Sequence, residues 1–284
     1  MGLAGDTKII EMNTQQRNPE PIAKTILYHG YEIHYSMSGV GKEQLMVLLH
    51  PAFSDQNAFP DQMAAFAKNY AVLTVDLIGH GLSKVKNTTH RLDITPEHIA
   101  AIIKQEGYKQ AHIVGVSMGA LMAQYFAYTF PEQTLSLTGM GGYSIHEENK
   151  EVAKAQMASN ITLILRALFS LNSFRNKVAQ MTCYTRQGQE LFQATMAGFE
   201  RKTFRYMSGL QHVIKNRPDF KATYPVLILI GEHDIALAHK MAKQWQEAVP
   251  HSQYHEISGG GHCAQLDQPE FFNKRVLEFV DGIN

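Results

Sequence analysis

Ala111-His-Ile-Val-Gly115-Val-Ser117-Met-Gly119-Ala120 is the stretch whose reading decides the fold. An apolar run enters Gly115-Val-Ser117-Met-Gly119, and a long helical pattern, Leu121 to Phe130, leaves it. The combination predicts a buried strand, a very tight turn and a helix, with a serine at the apex. Glycines two residues to either side remove the Cβ atoms that would collide where strand and helix nearly touch. A serine held there presents its hydroxyl above the sheet edge, at a helix N-terminus whose first N–H groups lack partners. Chemistry at such a serine needs an acid, a base and an oxyanion hole from elsewhere in the chain.

Working outward, the same pattern of buried strand and polar strand end recurs. Leu45 to Leu49 is a continuous apolar run ending in His50-Pro51-Ala52-Phe53-Ser54-Asp55, and Ala71 to Val75 ends in Asp76-Leu-Ile-Gly79-His80-Gly81. Such runs are typical of strands covered on both faces. Thr25 to His29 and Tyr31 to Ser38 read as a hairpin turning at Gly30. Leu135 to Met140, Tyr224 to Ile230 and Ser252 to Ile257 are the later strands, the last two ending in Gly231-Glu-His-Asp234 and Gly259-Gly-Gly261-His262-Cys263. Helical patterns separate them, through Phe59 to Ala67, Leu92 to Glu106, Ala238 to Val249 and Phe272 to Val280. The alternation predicts an α/β fold, a mostly parallel doubly wound sheet of about eight strands with helices on both faces. In such sheets ligands sit outside the C-terminal ends of the strands, where every motif above falls.

The rhythm breaks between Ile145 and Pro218. No buried strand is evident there, only helical stretches rich in Met and aromatics, among them Met157, Leu163, Phe169, Phe174, Phe192, Met196, Phe199, Phe204 and Met207. These residues hold the helices together and onto the sheet, and as a cap they would also line a pocket adaptably. The expected organisation is an N-terminal arm over residues 1–23, a core over 24–143 and 219–284, and a helical cap over 144–218.

Composition bounds the function classes. The 284 residues are 44% hydrophobic and 18% charged, an ordinary globular balance. Lys plus Arg equals Asp plus Glu at 26 each, so no net field argues for a nucleic acid or an acidic membrane surface. Two cysteines, Cys183 and Cys263, form no disulfide framework and fit a reducing compartment. The start, Met1-Gly-Leu-Ala-Gly-Asp6, lacks the basic-then-apolar order of a signal peptide and the Ser or Thr of a myristoylation site. Apolar runs fall well short of the roughly 18 residues a span requires. The expectation is a cytoplasmic protein with a small-molecule partner, no nucleic acid, no membrane, and an oligomeric state left open.

Gly115-Val-Ser117-Met-Gly119, Gly231-Glu-His-Asp234 and Gly261-His262 follow one another at strand ends within a single α/β rhythm. On these residues the chain resembles the α/β-hydrolase superfamily, from about residue 25 to the end, as a serine-nucleophile, cap-bearing, carboxylesterase- or lactonase-like member. Leu49-His50-Pro51 and Asp76-Leu-Ile-Gly-His80-Gly-Leu-Ser83 resemble further landmarks of that family. The resemblance implies a nucleophile, acid and base at Ser117, Asp234 and His262, no cofactor and no metal. It also implies oxyanion donors at the backbone N–H of Met118 and of Ala52, with His50, Phe53 and Tyr143 lining the site. Asp76 is the rival acid, in a turn that is usually structural in the family; His50 and His80 are expected to orient loops.

One departure bears on the oxyanion loop. Pro51 stands where related sequences usually carry glycine, and proline has no N–H. With Ala52 as donor the hole survives in a stiffer loop; a register one residue off makes the donor Phe53 or removes it. The activity implied is hydrolysis of a small, largely apolar ester, thioester or lactone through an acyl-serine. The alternatives are a ligand-sensing or partner-binding protein with little turnover, and a carbon–carbon bond hydrolase or cofactor-free perhydrolase with the same three residues.

Overall fold

A computed structural model describes residues 20–86 and 88–283. The arm expected over residues 1–23 lies outside the described residues up to 19, and the first strand already begins at Ile22. Eight strands, β1 (Ile22–Tyr28), β2 (Tyr31–Ser38), β3 (Leu45–Leu49), β4 (Ala71–Val75), β5 (Ala111–Val116), β6 (Thr134–Met140), β7 (Val226–Gly231) and β8 (Gln253–Ile257), form one sheet. Their spatial order is β1-β2-β4-β3-β5-β6-β7-β8. Only β2 runs against the others; every pairing from β4 to β8 is parallel. The hairpin turns on His29 and Gly30, both at positive φ, the backbone that suits the right-handed twist of the flanking strands.

The central strands are apolar on both faces because both faces are covered. Along β3, Leu45, Val47 and Leu49 enter one core, while Met46 and Leu48 enter the other. The first core is closed by α2 (Thr95–Gln105), α3 (Met118–Thr129) and α9 (Ala236–Ala248), through Ile99, Ile102, Phe126 and Trp245. The second is closed by α1 (Pro60–Phe66) and α11 (Pro269–Asp281), through Phe66, Phe272 and Val276. Helix α3 buries nearly its whole circumference, which is why its sequence is apolar all round rather than striped.

Between β6 and β7 the chain forms five helices: α4 (Lys150–Phe169), α5 (Leu171–Thr182), α6 (Arg186–Thr195), α7 (Thr203–Met207) and α8 (Leu210–Val213). Asn149, Ser170 and Thr185 start the first three, each accepting a backbone N–H of the first turn with its side-chain oxygen. The insert adds Phe174, Phe192 and Met196 to the second core. The side chain of Met157 lies outside the described residues. A last short helix, α10 (Ala264–Asp267), follows β8.

Candidate active site

Ser117 sits between β5 and α3 at φ 55° and ψ −117°, a backbone region that non-glycine residues rarely occupy. Holding a serine there costs on the order of 1–3 kcal/mol, and the surroundings enforce it. Its N–H donates to the Met140 carbonyl at 2.7 Å, and its carbonyl accepts from Ala120 N–H at 2.9 Å. A Cβ at Gly115 would lie 2.2 Å from the Gly119 carbonyl oxygen, and one at Gly119 only 2.0 Å from the Leu49 carbonyl oxygen. The first glycine lets strand approach helix; the second lets the helix approach β3. The turn therefore rests on its neighbour strand as well as on itself.

The acid and base arrive from the ends of β7 and β8. His262 Nδ1 lies 2.7 Å from Asp234 Oδ2, and Nε2 lies 2.8 Å from Ser117 Oγ. A carboxylate only accepts, so Nδ1 carries the proton and Nε2 presents its lone pair to the serine hydroxyl. The Asp234 carboxylate is 3% exposed and the His262 ring 23%. Burial pushes the imidazolium down, but the charge of Asp234 and its hydrogen bond outweigh that and hold the His262 pKa above 6.5. The three residues expected to work together are thus in register.

The two loops are stitched to each other. Glu232 Oε2 accepts from Ser258 Oγ at 2.7 Å and Gly259 N–H at 2.9 Å, while His233 N–H donates to the Gly260 carbonyl. The His233 ring turns outward and stacks on Tyr184 of the insert at 3.6 Å, leaving Asp234 to face His262. Asp267 does more. Its carboxylate accepts Gly261 N–H at 2.8 Å, beside His262, and also Tyr184 N–H, Thr185 N–H and Thr185 Oγ1 at 2.7–2.9 Å. Cys263 N–H donates to the Thr182 carbonyl at 2.7 Å. The histidine loop is therefore clamped between insert and core. Sequence reasoning missed Asp267, since nothing local distinguishes it from a surface acid at the end of a short helix.

The remaining expected residues fall as follows. Met118 N–H opens helix α3 and Ala52 N–H lies in the loop after β3; among the described residues neither has a protein acceptor. The Pro51 carbonyl accepts from His50 Nδ1 at 2.8 Å and Ser54 Oγ at 2.9 Å. In a planar trans peptide that turns the Ala52 N–H the opposite way. His50 is fully buried and spends its other nitrogen accepting Leu77 N–H at 3.1 Å, so it does not line a free surface; it braces the loop. Burial lowers its pKa to about 4, and that of His80, 5.0 Å away between ring centroids, to about 3. Phe53 has φ 69°, and its ring packs edge-on to Phe174 and Phe199 and tilted to Phe204. It joins the loop to the insert. Asp76 accepts Gln56 N–H and Leu82 N–H, each at 2.8 Å, and faces these rather than His262; burial raises its pKa to about 6.

Tyr143 borders a cavity of about 690 Å³ together with Ile161, Ile164, Phe204, Met207 and Ile214, with Glu148 and Lys150 among its few charged residues. The cavity does not include Ser117 itself. Of the residues expected at the site it holds Tyr143, two residues past Gly141, where an added Cβ would lie 3.1 Å from the His262 ring. Cys183 and Cys263 are both buried and free.

Known proteins share this fold. A family model described as alpha/beta hydrolase fold matches residues 44–269. A 2-hydroxy-6-oxononadienedioate/2-hydroxy-6-oxononatrienedioate hydrolase of Burkholderia vietnamiensis (strain G4 / LMG 22486) is 28% identical over 265 residues, covering 87% of this chain and 90% of the relative. An uncharacterized carboxylesterase, nap, of Bacillus subtilis (strain 168) is 22% identical, covering 88% and 84%. Among solved structures, a thermophilic esterase from Thermogutta terrifontis superposes with a TM-score of 0.77 at 17% identity, over 93% of this chain and 99% of that one. The chain belongs to the α/β-hydrolase fold family.

Proposed function

We propose that the protein is a serine hydrolase that cleaves a small, largely apolar ester, thioester or lactone. The observation carrying this reading is the continuous relay from Ser117 Oγ through His262 to Asp234, at 2.8 and 2.7 Å. Ser117 Oγ attacks the substrate carbonyl as His262 Nε2 takes its proton. The oxyanion of the tetrahedral intermediate is held by the N–H groups of Met118 and Ala52. His262 then returns the proton to the departing alcohol, thiol or lactone oxygen, leaving acyl-Ser117. Water, deprotonated by the same nitrogen, attacks the acyl group; collapse expels Ser117 with its proton restored and releases the acid. Asp234 keeps the tautomer and stabilises the imidazolium throughout.

An uncharged acyl group as substrate is supported by the apolar part of the cavity lining, Tyr143, Ile161, Ile164, Phe204, Met207 and Ile214. A fluorophosphonate probe read by intact mass tests the chemistry. One adduct is expected on the wild type and none on Ser117→Ala, whereas an adduct surviving that substitution overturns the assignment. A series of p-nitrophenyl esters then reads the acyl length.

A second reading, carbon–carbon bond hydrolysis, is favoured by one observation, the 28% identity to the Burkholderia vietnamiensis hydrolase. A dioate substrate carries two carboxylates, and against these the cavity sets Lys150 with Glu148 beside it. Turnover of 2-hydroxy-6-oxononadienedioate with a kcat/KM above that of every ester in the series decides for this reading.

A further inference from the structure

The balance of 26 basic and 26 acidic residues conceals a segregation. Residues 144–218 hold eleven Lys/Arg against five Asp/Glu, a net +6, and the rest of the chain carries the compensating −6. The same segment exposes an apolar stripe. Over its last turns α4 buries Leu163 and Ala167 inward, and outward it presents Ile161, Ile164, Leu165, Leu168 and Phe169, each 38–89% exposed. Their spacing of i, i+3, i+4, i+7 and i+8 is a complete helical face, the pattern by which a helix covers a core, turned here to the outside. A contiguous exposed face of this kind marks an interaction surface.

Two guanidinium groups accompany it. Arg166 lies within the stripe and donates to Ser173 Oγ at 2.9 Å; Arg201 donates to the carbonyls of Ala167 and Leu168. Among the described residues neither is paired with a carboxylate. Ile161 and Ile164 belong both to the stripe and to the wall of the cavity beside Tyr143, so the cavity adjoins this face. No helix among the described residues is long and apolar enough to cross a membrane, so contact through α4 would be peripheral.

The geometry points to an anionic phospholipid surface as the partner of this face, with the α4 stripe seated at the headgroup–acyl boundary and the basic insert against the lipid charge. A symmetric second copy fits less well, because it would bring one insert of net +6 against another. On a bilayer the cavity would open toward the phase in which apolar acyl compounds concentrate. The docking itself does not depend on the chemistry at Ser117.

Flotation with vesicles tests it. The full-length protein is expected to bind vesicles of phosphatidylcholine mixed with phosphatidylglycerol about tenfold more than vesicles of phosphatidylcholine alone, and to be released by high salt. The triple variant Leu165→Glu, Leu168→Glu, Phe169→Glu should lose that binding while keeping its melting temperature and circular dichroism, since all three side chains are exposed. Failure of the wild type to bind anionic vesicles at low salt overturns the proposal, as does equal binding by the folded variant. Sedimentation velocity supplies a further arm: a wild-type dimer dissociated by the same substitutions makes the stripe a self-interface instead. Because folding rather than turnover is the control, these outcomes stand apart from those of the fluorophosphonate test.

Discussion

At the scale of single residues, the site is a set of constraints that each exclude alternatives. Ser117 was legible because two glycines at fixed spacing have few other uses between an apolar strand and a helix. Asp234 and His262 were legible from their order and their place at strand ends. The electrostatics yield a pH prediction. With Asp234 holding its pKa above 6.5, His262, as the proposed base, would be protonated and inactive over a wider acid range than an isolated imidazole. The kcat/KM profile on a neutral ester should therefore fall toward acid with an apparent pKa above 6.5. Asp234→Asn should lower kcat by about 10⁴-fold and move the remaining acid limb downward, the double effect expected of a residue acting through the histidine. An unchanged limb in that variant would remove Asp234 from this role. The raised pKa also makes the His262–Asp234 pair most stabilising below pH 6.5, the range in which the proposed base would be protonated.

At the scale of elements, strands and loops differed sharply in legibility. The runs Leu45–Leu49 and Ala71–Val75 coincide with β3 and β4, because a strand covered on both faces must be apolar at every position. The loops closing the site carry no such periodicity. Their conformations depend on carboxylates whose partners come from distant sequence, Asp267 and Glu232 above all. Asp267 accepts four hydrogen bonds from insert and histidine loop while 8% exposed. Asp267→Asn would place an amide NH₂ against backbone N–H donors and remove a charged acceptor, at a cost of about 2–3 kcal/mol. The expected readouts are a lower melting temperature and a kcat reduced about tenfold with KM little changed, as the loop carrying His262 loosens. A KM rise with kcat intact would place Asp267 in substrate binding instead.

Across the whole molecule, histidine burial sets the acid limit. His50, His80, His98 and His112 are all at most 3% exposed, and burial lowers their pKa values to about 4, 3, 3 and 4. The unfolded chain binds protons at these residues near pH 6.5 and the folded chain does not, so their stabilising effect is complete above about pH 6.5 and is lost as pH falls. Each contributes a slope of up to about 1.4 kcal/mol per pH unit. His262, Asp76, Asp55 and Glu97, whose folded pKa values are raised, oppose this, while His146 and His255, also lowered by burial, add to it. The melting temperature should drop steeply between pH 7 and pH 5; a flat profile there would show that these histidines protonate in place. By itself, the sequence determined the alternation of buried strands and helices, the serine turn, and which acid and histidine could reach it. Those features rest on short-range rules, namely periodicity, glycine sterics and chain order. Only the tertiary structure decided that His50 braces rather than lines the site, that Phe53 bridges to the insert, and that Asp267 clamps the histidine loop. It also decided that the insert turns an apolar face of helix α4 outward. Burial and hydrogen-bond partners are properties of contacts between residues far apart in the chain, and these exist only once it is folded.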